Sequence, residues 1–315
     1  MAYAADILAD STSPAGDRLT TFEITFPRFV LSEFNTHCAI SRNSASSRAV
    51  PVHKKLHEVL HDPFIPARFG RNQRGMSAAE HLAGAEHDEA VTVWLGARDA
   101  AVVAVLQLLA GKDAVSELPD SISERDELLD EVRAASAAPG RLDVHKQIAN
   151  RLLEPFLWHT VIATATDWNN FFALRTAEGA QPEIQTIARL MLDLRQAATP
   201  ADVEEGGWHL PLIQPDERPE AEKEPIVWAR VSAARCARVS YLTHHGLRDV
   251  SADIELGQRL LGDGHMSPFE HVAQCMTARE RLQNRRVGKL TGWVPYRSTL
   301  PFEDDFSLVL AQRNS

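Results

Sequence analysis

Between Thr25 and Pro51 the chain reads TFPRFVLSEFNTHCAISRNSASSRAVP, which sets His37, Ser41, Asn43, Ser46 and Arg48 close together. Arg48 offers a planar fork that can grip a phosphate with two parallel hydrogen bonds, and the Ser46 hydroxyl two residues earlier can donate to the same anion. Arg151 is a second candidate for a phosphate, although it also reads as an ordinary surface arginine on a helix. Arg175 closes the run Asn170-Phe171-Phe172-Ala173-Leu174-Arg175. A guanidinium aimed at a carbonyl acceptor stabilises negative charge that develops there. Asn170 offers both a donor and an acceptor, for a ligand edge or for capping and bridging backbone. In Gly264-His265-Met266-Ser267-Pro268-Phe269-Glu270-His271, Ser267 reads as an N-cap before Pro268, with Glu270 at the capping-box offset. A helix start of that kind also suits anionic oxygens.

Other motifs are weaker. His57-Glu58-Val59-Leu60-His61 fits the zinc-hydrolase pattern of two histidines on one helix face. No third ligand follows at a known spacing, however, and Asp62-Pro63 ends the helix at once. Cys38 could act as a nucleophile beside a bound cofactor. The chain has no Gly-x-Gly-x-x-Gly fingerprint and no ATPase-type phosphate loop, so a dinucleotide would be held outside a Rossmann fold.

The elements that must position these residues follow from period and punctuation. Phe22, Ile24 and Phe26 alternate and predict a strand ending near Pro27. Residues 1–18 are small and acidic and read as a loose arm. Val52 to His61 predicts a short helix, residues 64–76 a long loop, and Ser77 to Leu108 a helical block whose Ala-rich part at 97–109 is internal. The charged stretch 112–138 predicts a solvated helix or an insert, ended by Pro139-Gly140, and Val144 to Leu153 another helix. The period of 158–172 is ambiguous. Pro182 opens a helix with Ile184, Ile187, Met191 and Leu194 on one stripe. Residues 199–225 hold five prolines and eight acidic residues and read as a surface linker between 1–198 and 226–315. Helices are expected at Val231–Ser240 and Ile254–Leu261.

The 315 residues carry 33 basic and 43 acidic side chains, a formal charge of -10. That balance disfavours nucleic-acid wrapping or an anionic membrane surface but permits a local basic pocket for a small anion. Cys38, Cys236 and Cys275 are too far apart for a disulfide scaffold or a Cys-rich metal site. No 18 consecutive residues are all apolar, and the N-terminal residues lack a basic, apolar leader, so neither a membrane span nor a secretory signal is expected.

These segments together resemble the flavin-dependent thymidylate synthases (ThyX-like proteins). That family carries Arg-His-Arg, then Ser, Asn-Glu, Ser and Arg at fixed offsets. The matching positions here are Thr36-His37-Cys38, Ser41, Asn43-Ser44, Ser46 and Arg48. VSAARCARVSYLTHHG (231–246) resembles its Ala-Ala-Arg-Val-Ser-Tyr helix, and LLGDGHMSPFEH (260–271) its Gly-His-x-Ser/Thr-Pro-Phe-Glu-His block. Residues 151–184 resemble the region with Asn-Phe-x-x-Leu-Arg and Ala-Gln-x-Glu-Ile. The last-placed blocks normally come first, so the order resembles a circular permutation in which 199–225 joins the old ends.

The resemblance implies an α+β, helix-rich fold with a mixed or antiparallel sheet. It implies methylation of dUMP to dTMP by a cytoplasmic FAD enzyme, with 5,10-methylenetetrahydrofolate as one-carbon donor and NADPH as reductant. It further implies a homotetramer with sites shared between chains, and no metal. Ser46, Arg48 and Arg151 would hold the phosphate and Arg175 the pyrimidine, with Arg48 and Arg175 carrying the catalytic orientation. His37, Asn170, Ser240, His265, Ser267 and Glu270 would contact flavin. Thr36 and Cys38 depart from the family's arginines, Ser44 from its glutamate and Glu33 from a glutamine. Arg281, Arg285, Arg286, Lys289 and Arg297 in residues 279–301 could restore the lost charge, or form a solvated basic face. The departures leave open hydroxymethylation without final reduction, or a nucleotide- or flavin-binding homologue without catalysis.

Overall fold

The computed structural model describes residues 3–135, 141–246, 248–283 and 288–300. Its main sheet has the order β3-β4-β2-β1-β5, built from β1 (Ala4–Thr12), β2 (Arg18–Pro27), β3 (Ser41–Ser44), β4 (Trp158–Ala165) and β5 (Ala201–Asp202). Only the β1–β5 pair is parallel, so the sheet is mixed. A second, antiparallel sheet joins β6 (Trp208–His209), β7 (Ala273–Cys275) and β8 (Trp293–Pro295). The α-helices among the described residues are α1 (Leu31–Asn35), α2 (Val52–His61), α3 (Ala85–Ala110), α4 (Ile122–Ala135), α5 (Lys146–Ala149), α6 (Asn169–Arg175), α7 (Pro182–Ala197), α8 (Arg218–Lys223), α9 (Pro225–Ala237), α10 (Val250–Gly262) and α11 (Ala278–Leu282). The architecture is α+β and helix-rich, as expected.

Alternation in β2 explains the layering. Phe22, Ile24 and Phe26 face one core with Val161, Ala163 and Ala165 of β4. Helix α7 closes that face with the predicted stripe, burying Ile184, Ile187, Ala188 and Met191 and leaving Leu194 at the edge. The opposite face carries Ile162, covered by Leu212, Cys236 and Val239. A polar chain crosses the same face: Ser11, His209, Thr21, Thr164 and His271 are linked through successive contacts of 2.7–2.8 Å. The C-terminal segment is thereby locked onto strands from the N-terminal one. A second core lies under α2, α3, α4 and the 3₁₀ turn Asn150–Phe156.

Several expectations are corrected. Residues 4–12 are not a loose arm but a strand paired along β2, with an irregularity between Ile7 and Ala9. Their small side chains hid the alternation, and the ladder comes from a neighbour. The helical block starts at Ala85 rather than Ser77, because Gly84 turns at φ +55°. Within α3, Arg98, Val102, Val105 and Leu106 are buried while much of the rest stays accessible, so the Ala-rich part is only half internal. By length, and by the mean hydropathy of an 18-residue stretch within it (1.6), α3 could cross a bilayer. Here it packs on the second core, and Arg98 ion-pairs with Asp99 at 2.6 Å. Pro139-Gly140 lies outside the described residues. The stretch 199–225 exposes β5 but buries His209, Leu212, Ile213 and Glu217, so it takes part in the packing of both sheets.

Candidate active site

Beyond β3 the chain makes a loop, residues 45–50, whose every turn is tied to a distant element. Ala45 N donates to the Thr160 carbonyl (2.9 Å) and Ser46 N to the Ser240 carbonyl (3.1 Å). Asn150 is fully buried, and its Nδ2 donates to the carbonyls of Ser47 (2.6 Å) and Val50 (3.0 Å). Lys146 Nζ donates to the Ala49 carbonyl at 2.9 Å. Arg48 N donates to Ser46 Oγ at 3.3 Å, a local turn on a loop whose Ser46 and Arg48 both line one cleft. A loop held at three carbonyls and two amides presents Ser46 and Arg48 in fixed places.

These residues line a cleft of about 950 Å³. Its other walls are the turn bearing Arg151, the 3₁₀ turn Arg238–Tyr241, helix α10 and the segment His265–Pro268. The cleft therefore gathers Ser46, Arg48, Arg151, Ser240, His265 and Ser267 from widely separated parts of the sequence. Among the described residues it also holds Arg238 of the 231–246 block and three guanidinium groups that the motifs did not point to, Arg28, Arg42 and Arg259, against one lining carboxylate, Asp263. So strong a local excess of positive charge in a chain of net charge -10 marks an anion site.

The cations differ in how they are held. Arg28 and Arg151 share Glu154, at 2.9 and 2.8 Å. Arg42 donates to the carbonyls of Phe34, Asn35 and His37. Arg238 is buried and ion-paired with Asp253 at 2.7 Å, and its Nη1 has no partner. Asp253 also accepts from Arg235 Nε (2.9 Å), while the Glu217 carboxylate takes the Arg235 fork at 2.7 and 2.9 Å. Arg238 is thus the cleft-lining end of a buried ionic chain, and its Nη1 is a donor in need of an acceptor. Among the described residues the guanidinium groups of Arg48 and Arg259 make no hydrogen bond or ion pair.

His159 also lines the cleft. Arg28 Nη1 donates to its Nδ1 at 3.0 Å, so the ring proton sits on Nε2, which is buried without a partner. Burial, then the charges of Arg28 and Lys55, push its pKa down to about 3, so the ring is a neutral donor. Nothing in the local sequence set His159 apart; its role comes from its place at the start of β4, buried against the cleft.

The remaining candidates lie elsewhere. Arg175 Nε donates to His37 Nε2 at 2.8 Å, and its Nη2 to Thr36 Oγ1 (3.1 Å) and the Glu33 carbonyl (3.2 Å). Burial, Arg175 and Arg42 lower the His37 pKa, and the ring's edge meets Phe171. Asn170 is exposed on the same short helix. His37 and Arg175 form a second cluster outside the cleft, and Asn170 stands on the helix that carries Arg175. Ser267 opens a 3₁₀ turn without a side-chain cap, so the capping box with Glu270 does not form. Glu270 instead pairs with Arg297 at 2.5 Å, beside a cavity of about 370 Å³ that Lys289 also lines. Arg281 pairs with Asp17 at 2.5 Å. Arg285 and Arg286 lie outside the described residues.

No curated protein matches the chain. The profile of one family, described as thymidylate synthase complementing protein, matches residues 8–201, from β1 into β5.

Proposed function

Because the chain belongs to the thymidylate synthase complementing protein family, we propose that it methylates dUMP to dTMP as a flavin-dependent thymidylate synthase. One observation carries this reading: Ser46, Arg48, Arg151, Ser240, His265 and Ser267 meet in one cationic cleft. Arg48 and Ser46 grip the phosphate, and Arg151, tethered by Glu154, adds charge to it. Two buried donors without partners, Arg238 Nη1 and His159 Nε2, suit a ligand rich in phosphate and carbonyl oxygens, as a nucleotide or FAD is. Ser240, His265, Ser267 and Glu270 hold FAD from one chain, and His37 and Asn170 from another. When bound, FAD supplies hydride chemistry, with NADPH as reductant and 5,10-methylenetetrahydrofolate as one-carbon donor. Arg175 orients the pyrimidine and steadies charge on its carbonyl.

Arg175 and His37 lie apart from the cleft within one chain, which supports completion of each site by a second copy in a homotetramer. The protein works in the cytoplasm. The permuted order accounts for why family-like blocks at 231–246 and 260–271 pack beside the loop at 45–50, with 199–225 bridging the former ends. Thr36 and Cys38, in place of arginines, favour one second reading, hydroxymethylation of the same base. The direct test of the cofactor is the absorbance spectrum of the purified protein, before and after reconstitution with FAD. Flavin bands that persist through gel filtration are expected, and their absence in both samples would defeat the proposal.

A further inference from the structure

His57 and His61 lie one turn apart on α2, their rings stacked with centroids 3.9 Å apart and planes 18° from parallel. His61 Nε2 sits 2.8 and 3.1 Å from the two carboxylate oxygens of Asp126 on α4. One ligand atom from each of the three residues lies within 4.8 Å of the others. Two imidazoles and a carboxylate are a donor set for a divalent transition metal, zinc foremost. Tetrahedral zinc with bonds of about 2.0–2.2 Å holds its ligands roughly 3.3 Å apart. Shifts of about 1 Å in these accessible side chains would reach that spacing. The last turn of α2 adds the partial negative charge of a helix C-terminus beside His61.

We infer that His57, His61 and Asp126 form a divalent-metal site that ties α2 to α4. The site is independent of the nucleotide reading. It absorbs the His-Glu-x-x-His pattern without hydrolysis, because the Glu58 carboxylate is held by the buried Lys55 ammonium at 2.6 Å and is not free to act as a base. The third ligand comes from another helix, 65 residues on, where no spacing rule would find it. His53, one turn earlier, lies beside the positive charges of Arg133 and Lys54, which disfavour a cation there; Asp130 is the opposing charge. Helix α2 begins directly after the Arg48 loop, so the metal braces the helix that continues from it.

The test uses the full chain, stripped with a chelator and titrated with zinc chloride by calorimetry. Wild type, His61→Gln, Asp126→Asn and the control Glu127→Gln are compared, each checked by circular dichroism. One zinc per chain is expected for wild type and the control, with affinity at least about tenfold weaker in His61→Gln and Asp126→Asn. X-ray absorption at the zinc edge of the wild type reads the ligands without any variant and should show two imidazoles. No zinc bound by wild type, equal affinity in all four proteins, or a zinc environment without two imidazoles would overturn the inference.

Discussion

Acidification probes three buried histidines, two of which, His209 and His271, belong to the polar chain that locks the C-terminal segment onto the main sheet. His159, His209 and His271 are buried, and burial pushes each pKa down to about 3. The nearby charges of Arg28 at His159 and Lys289 at His271 act in the same direction. In the unfolded chain each imidazole titrates near ~6.5. The folded pKa is the lower one, so the unfolded chain binds more protons between the two values. Stability is therefore full above about pH 6.5 and is lost as pH falls toward about 3. Well below 6.5 each ring contributes about 1.4 kcal/mol per pH unit, and the three together about 4 kcal/mol. The accumulated loss at pH 5, relative to pH 8, is about 6 kcal/mol, comparable to the whole stability of many domains. Burial raises the pKa of Glu183, which takes up a proton in the folded chain and offsets a part. Urea unfolding followed by circular dichroism from pH 8 to pH 5 measures the slope. The midpoint should fall steeply below pH 6.5. A midpoint that stays flat from pH 7.5 to pH 5 would refute the neutral burial of these rings.

Three substitutions extend the account. Arg48→Lys keeps the charge but loses the fork, so dUMP should bind roughly ten- to hundredfold more weakly, with deoxyuridine binding and FAD content nearly unchanged, as read by titration. Asn150→Ala leaves the Ser47 and Val50 carbonyls without their buried donor, at a cost of about 1–3 kcal/mol, and should lower both the melting temperature and dUMP affinity. Asp253→Asn leaves Arg235 and Arg238 short of one shared buried carboxylate; a loss of about 3–5 kcal/mol is expected in denaturant unfolding.

Much of the fold was legible where period and punctuation agreed. β2 showed its alternation, α2 was bounded by Pro51 and Asp62-Pro63, and α7 combined an opening proline with a helical stripe. β1 was hidden because its order comes from pairing with β2 rather than from its own small residues. Residues 158–172 were ambiguous because they hold two elements, β4 and the start of α6, with three residues between them. β6 was missed in a proline-rich, acidic stretch whose few apolar and aromatic residues go inward. Within the site, motif residues were found but their neighbours were not. Arg28, Arg42, His159 and Arg259 reach the cleft through tertiary placement, and Asn150 differs from a surface amide only by what folds over it.

The central claim is that the cleft serves a flavin-dependent methylation of dUMP. The most direct measurement is anaerobic turnover of the FAD-reconstituted protein with dUMP, 5,10-methylenetetrahydrofolate and NADPH, the products resolved by mass spectrometry. The account predicts dTMP, a gain of one CH₂ on the base, formed only when all three substrates are present. A product that carries an additional oxygen would replace methylation with hydroxymethylation, and unchanged dUMP from a protein that holds FAD would contradict the claim.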